Sequence, residues 1–131
     1  MWGGTVVSTL QRILYVEDEP DIQAVAKLAL EMVGGFTVKI CSSGEEALRD
    51  AEAFAPDMIL LDVMMPGMDG PSTLKALRML PTLAEVPVAF MTAKVQPSEV
   101  QQYRALGARG VIAKPFEPIA LANQVREIWG G

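Results

Sequence analysis

Histidine is missing from this sequence, and cysteine occurs once. The first absence excludes Ser-His-Asp and Cys-His catalysis, zinc sites of the usual histidine type, and any phosphohistidine on this chain. The second excludes an internal disulfide. A single thiol without histidine neighbours is also a poor metal site, so Cys41 reads as a small buried side chain. Long apolar runs are lacking too. Half of the residues are hydrophobic and mean hydropathy is +0.27, yet no run approaches the ~18 residues of a membrane span. Met1 to Leu10 has neither the basic nor the apolar region of a secretion signal. A soluble, cytoplasmic protein with no membrane partner is expected. Basic residues are the minority, 11 Lys and Arg against 16 Asp and Glu, for a net charge of −5 and an isoelectric point near 4.7. Nucleic-acid binders carry a basic face, so no nucleic acid is expected as a partner; a protein or a cation suits this charge better.

What remains for chemistry is carboxylate, lysine and hydroxyl. At 131 residues and 14.1 kDa the chain fits one domain that buries roughly two-thirds of its unfolded surface. Its organising stretch is Pro56 to Gly70, PDMILLDVMMPGMDG. Met58 to Leu61 is a short apolar run suited to a strand buried on both faces, and it ends in Asp62. Pro66, Gly67 and Gly70 forbid continuation as strand or helix, so the chain turns just past Asp62 and leaves its carboxylate at the mouth of the sheet. In open parallel sheets, ligands sit outside the carboxyl ends of the strands. Asp62 is therefore the first candidate for chemistry.

The same design repeats along the chain. Ile13 to Val16 is an apolar strand that stops at Glu17-Asp18. Pro20 then opens a helix with Ile22, Val25, Ala26, Ala29, Met32 and Val33 at helical spacing, closed by Gly34-Gly35. Phe36 to Cys41 alternates as an edge strand does. Ser43 and Glu46 have capping-box spacing before a helix whose Ala47, Leu48, Ala51, Phe54 and Ala55 face inward. A helix from Pro71 to Leu80 turns Leu74, Leu77 and Leu80 inward. Val86 to Met91 is a fourth strand, delivering Thr92. The helix from Pro97 to Leu106 carries Val100, Tyr103 and Leu106, with Gly107 as its cap. Val111 to Ala113 delivers Lys114-Pro115, and Pro118 opens a last helix with Leu121, Ala122, Val125, Ile128 and Trp129 as its packing stripe. Five strand-then-helix units imply an α/β fold: one doubly wound parallel sheet with right-handed crossovers and helices on both faces.

Every polar residue that ends a strand then lies on one rim: Glu17, Asp18, Asp62, Thr92 and Lys114. Singly, each has a plain reading: the acids as helix N-terminal charges or turn formers, Thr92 as a turn cap, Lys114 as a solvated cation. Together they make a site. Each like-charge carboxylate pair at ~4 Å costs on the order of 4 kcal/mol at an effective dielectric of 20. Oxygen-only ligands select a hard divalent cation, and few protein ligands with room for water suit Mg²⁺. A hydroxyl at Thr92 and an ammonium at Lys114, opposite that metal, are what phosphoryl oxygens require during in-line transfer to Asp62.

Glu17-Asp18, Asp62 in LLDVMMPGMDG, Thr92-Ala93 and Lys114-Pro115-Phe116, in this order on successive strands, resemble the receiver domain of bacterial two-component response regulators, single-domain chemotaxis-type receivers among them. The likeness runs over 11–129, leaving an N-terminal extension at 1–10 and a tail at 130–131. It implies the flavodoxin-like (βα)₅ fold with strand order 2-1-3-4-5. It further implies that Asp62 accepts a phosphoryl group from a sensor histidine kinase or a histidine phosphotransfer protein. Asp18, Asp62 and the backbone carbonyl of Met64 would hold Mg²⁺, with Glu17 reaching it directly or through water. Thr92 and Lys114 would bind the phosphoryl oxygens, and Lys114-Pro115 matches a bond often cis in this family. Such a protein catalyses only its own phosphorylation and dephosphorylation and acts on a downstream protein target; a homodimer is left open. Where many receivers have an aromatic residue three positions before the lysine, Val111 stands here, so a different or smaller rearrangement than the usual threonine–aromatic switch is expected. Three alternatives carry less of the pattern. An aspartyl-nucleophile phosphatase needs a second acid where Met64 sits, a flavin or nucleotide module needs a phosphate cradle where EDEPD stands, and a pseudo-receiver would not require the full acidic set.

Overall fold

The structure, a computed structural model, describes residues 9–130. Residues 1–8 of the N-terminal extension and residue 131 of the tail lie outside it. Five strands alternate with five helices: β1 (Arg12–Val16), α1 (Pro20–Leu28), β2 (Thr37–Cys41), α2 (Gly44–Phe54), β3 (Met58–Asp62), α3 (Gly70–Arg78), β4 (Val88–Thr92), α4 (Pro97–Ala105), β5 (Gly110–Ala113) and α5 (Pro118–Gly130). All pairings are parallel, in the order β2-β1-β3-β4-β5, the flavodoxin-like arrangement expected from the sequence. The edge position of Phe36 to Cys41 follows from the same order.

Because side chains alternate across a strand, apolar runs divide into two cores. Ile13, Tyr15, Met58, Leu60, Ala89, Met91 and Ile112 pack on one face with Ala26, Leu30, Leu121 and Val125. Leu14, Val16, Ile59, Leu61, Val88 and Phe90 pack on the other with Ala47, Ala51, Leu74 and Leu77. All five residues of β3 and all five of β4 are buried, as central strands covered on both sides require. No helix among the described residues is long and apolar enough to cross a membrane.

Several inward assignments change. α1 continues into a π-helical turn, Ala29–Val33. The wider turn rotates the chain, so Ala29 and Leu30 meet the sheet while Met32 and Val33 are exposed; Val25 lies at the margin of the buried face and is exposed too. Ala55 does not face inward: it is the exposed C-cap of α2, in the left-handed region at φ 54°. Leu80, though half-buried, packs against the core as expected, whereas Leu106 is exposed. Gly70 does not stop a helix but begins α3, where the Asp69 side chain accepts the Ser72 N–H at 2.8 Å. A Cβ at Gly70 would lie 2.5 Å from the Asp62 carbonyl oxygen, so this glycine lets α3 start against the backbone of the central strand. α4 has no buried residue; its hold on the sheet comes from half-buried Val100 and from Tyr103, whose ring centroid is 5.2 Å from that of Phe90.

A left-handed alanine carries a steric cost that glycine lacks, so Ala55→Gly is expected to raise stability by about 1 kcal/mol, read as a higher urea midpoint at unchanged slope.

Candidate functional site

Strand register assembles the site. Val16 pairs with Leu61, Asp62 with Met91, and Thr92 with Ala113. One further step along these ladders sets Glu17 beside Asp62 and places Thr92 and Lys114 at the next two strand ends. The carboxylates of Glu17, Asp18 and Asp62 offer oxygen atoms all within 4.8 Å of one another. Lys114 Nζ donates to Glu17 Oε1 at 2.8 Å and lies 3.3 Å from Asp62 Oδ2. The Lys114–Pro115 peptide bond is cis. The Lys114 N–H also donates to the Thr92 carbonyl at 2.9 Å, which ties the two strand ends together. The Thr92 hydroxyl accepts the Lys94 N–H at 3.1 Å. All five rim residues named from the sequence therefore share this end of the sheet. The Met64 side chain is 73% exposed, whereas Met65 turns into the core and does not cover the site.

Burial separates the three acids. Glu17 is fully buried and Asp62 is 4% exposed, while Asp18 is half-buried and, among the described residues, has no hydrogen bond or ion pair to its carboxylate. Glu17 is held from three sides: its Oε1 accepts from Lys114 and from the Tyr15 hydroxyl at 3.2 Å, and its Oε2 accepts the Glu19 N–H at 3.1 Å. Tyr15 is the participant that reading the apolar run as core passes over. Its signal in the sequence is the i, i+2 spacing to Glu17, which puts both side chains on one face of β1. Burial, then the charge and hydrogen bond of Glu17, raise the Tyr15 phenol so that it stays a donor.

Burial also pushes Asp62 up to about 6, with the charge of Glu17 adding to it and Lys114 and the Met64 N–H opposing. Partial burial pulls the Lys114 ammonium down, but its hydrogen bond to Glu17 and the charges of Asp62 and Glu17 outweigh this and raise it. Cys41, fully buried, is pushed up to about 11 by burial; near its thiol stand Glu46 and Asp50, the latter 3.8 Å from the Lys39 ammonium.

The elevated Asp62 value fixes a sign. A carboxyl more easily protonated folded than unfolded adds stability below about pH 4, and that contribution is lost as pH rises through about 6. In metal-free protein, Asp62→Asn is expected to raise stability by roughly 1–3 kcal/mol at pH 8 and by little at pH 4, measured by urea unfolding at both.

The sequence profile described as response regulator receiver domain matches residues 13–126. The DNA-binding response regulator MtrA of Mycolicibacterium smegmatis is 34% identical over 116 residues, covering 88% of this chain and 49% of that protein. The alkaline phosphatase synthesis transcriptional regulatory protein PhoP of Bacillus subtilis is 37% identical over 118 residues, covering 90% and 48%. The chain thus spans about half the length of these curated relatives. Chemotaxis protein CheY4 of Vibrio cholerae superposes with a TM-score of 0.84 at 31% identity over 92% of this chain and 99% of that one. The receiver domain of sensor histidine kinase PA1611 from Pseudomonas aeruginosa, solved with a magnesium ion coordinated in its active site cleft, gives 0.80 at 30% identity over 94% and 100%. With the strand order and the profile match in agreement, the chain belongs to the response regulator receiver family of two-component systems.

Proposed function

We propose that residues 11–129 form a phosphoacceptor unit in which Asp62 takes a phosphoryl group from a phosphohistidine on a sensor kinase or phosphotransfer protein. The observation that carries this reading is the position of Lys114 Nζ, within reach of both Glu17 and Asp62 at a rim that also holds Thr92. The donor set suits a hard divalent cation: three clustered carboxylates, one of them, Asp18, without a protein partner among the described residues. Asp18 and Asp62 would hold Mg²⁺ with the Met64 carbonyl, and Glu17, already holding three donors, would reach it through water. Bound there, Mg²⁺ would supply positive charge opposite the transferring phosphoryl group.

The remaining work falls to the chain's own residues. An ionised Asp62 oxygen forms the new O–P bond as the P–N bond of the donor breaks. The electron pair returns to the imidazole nitrogen, which takes up a proton. Lys114 and the Thr92 hydroxyl stand where phosphoryl oxygens come to rest, the former neutralising charge and the latter donating a hydrogen bond. Phosphorylation replaces one negative charge by a larger one and biases which protein surface is presented to a downstream target. The net charge of −5 fits a protein partner, and a cytoplasmic setting fits the receiver family. The chain would turn over no substrate beyond its own acyl phosphate.

Incubation with acetyl phosphate and Mg²⁺ followed by intact mass is expected to add one phosphoryl group to the protein and none to Asp62→Asn. Addition to Asp62→Asn, or none to the unaltered chain, would overturn the reading. Asp18→Asn is expected to raise the Mg²⁺ concentration needed for half-maximal phosphorylation about 10- to 100-fold, read by titrating the metal in the same assay.

A further inference from the structure

Glu17 has no exposed surface, so its charge depends wholly on its donors. Lys114 is the strongest of them, at 2.8 Å, and the same ammonium lies 3.3 Å from Asp62. Once Asp62 carries a phosphoryl group, with more negative charge and more acceptor oxygens, that ammonium is drawn toward it. Glu17 Oε1 then retains one donor from the resting structure, the Tyr15 hydroxyl at 3.2 Å, while Oε2 keeps the Glu19 N–H. Tyr15 is itself completely buried in the core on the α1 and α5 side of the sheet. Its hydroxyl is placed by the rigid β1 strand, and it donates to Glu17 in the resting structure.

We propose that Tyr15 is a positioning residue for the phosphoryl-transfer site: its buried hydroxyl holds Glu17 so that Lys114 can leave this carboxylate and turn to the phosphoryl group on Asp62. The inference rests on the phosphoacceptor reading above. Tyr15 touches no reacting atom; it acts through Glu17, and its effect depends on the charge of that side chain.

The test is a double-mutant cycle on the full chain, using beryllium trifluoride with saturating Mg²⁺ as the phosphoryl mimic and calorimetry to read its affinity. Circular dichroism establishes that each variant is folded. Tyr15→Phe is expected to weaken mimic binding about ten-fold, the scale of losing a supporting hydrogen bond behind a ligand side chain. In a Glu17→Gln background, the same change is expected to cost about two-fold or less, because the amide oxygen still accepts the hydroxyl but no buried charge is left to hold. Unaltered affinity in Tyr15→Phe would mean that the ring serves packing alone, and an equal loss in the Glu17→Gln background would mean that the hydroxyl does not act through the charge of Glu17; either would overturn the proposal. Failure of the unaltered protein to bind the mimic would instead remove the phosphoacceptor reading and this proposal with it.

Discussion

The contact between Lys114 and Glu17 is the constraint on which the site depends. A carboxylate with no exposed surface is tolerable only with its charge matched and its oxygens occupied. An ammonium from the far edge of the sheet meets that requirement 97 residues further along the chain. To get there, β5 must lie beyond β1 on the β3 side with two strands, β3 and β4, between them, which the order β2-β1-β3-β4-β5 achieves. The topology and the electrostatics are therefore one requirement seen at two scales. The same ammonium moderates Asp62, whose carboxyl burial and Glu17 would otherwise lift further.

Around this pair the scaffold is stiff where positions matter. β3 and β4 are buried along their whole length, and each ends in a polar residue that is almost fully enclosed, Asp62 and Thr92. Close packing of that kind leaves little room for a strand end to wander. At the opposite end of the sheet, Asp57 accepts the N–H groups of Gln11 and Arg12, and the Trp129 indole donates to the Asp57 carbonyl. The entry to β1, the entry to β3 and the end of α5 are thus fastened together. Gly70 plays a comparable part beside the site, allowing α3 to start hard against the backbone of Asp62.

Much of this is legible in the sequence, for a specific reason. An apolar run that stops at an acid, a hydroxyl or a lysine marks the C-terminal end of a buried strand, and parallel connectivity sends every such end to the same rim. Asp62, Thr92 and Lys114 could be gathered on that logic alone. Helical faces are less legible where the 3.6-residue period breaks: the π-turn at Ala29–Val33 puts Met32 and Val33 outward and Leu30 inward. Ala55 looked like one more inward residue because nothing in an alanine announces a left-handed cap. Tyr15 was concealed by its own hydrophobicity; in an apolar strand a tyrosine counts as core, and only the three-dimensional partner of its hydroxyl reveals a second task.

The lack of any buried residue in α4 has an energetic meaning. Lifting a helix off a sheet costs in proportion to the apolar surface uncovered, and here that surface is little more than the ring of Tyr103 against Phe90 and part of Val100. Phe90 stands two residues before Thr92 on the same strand. The helix that is cheapest to tilt is consequently joined through a single aromatic pair to the strand that carries the site's hydroxyl. The sheet, by contrast, is buried between two cores, so of the five helices α4 is the one whose displacement would uncover the least apolar surface.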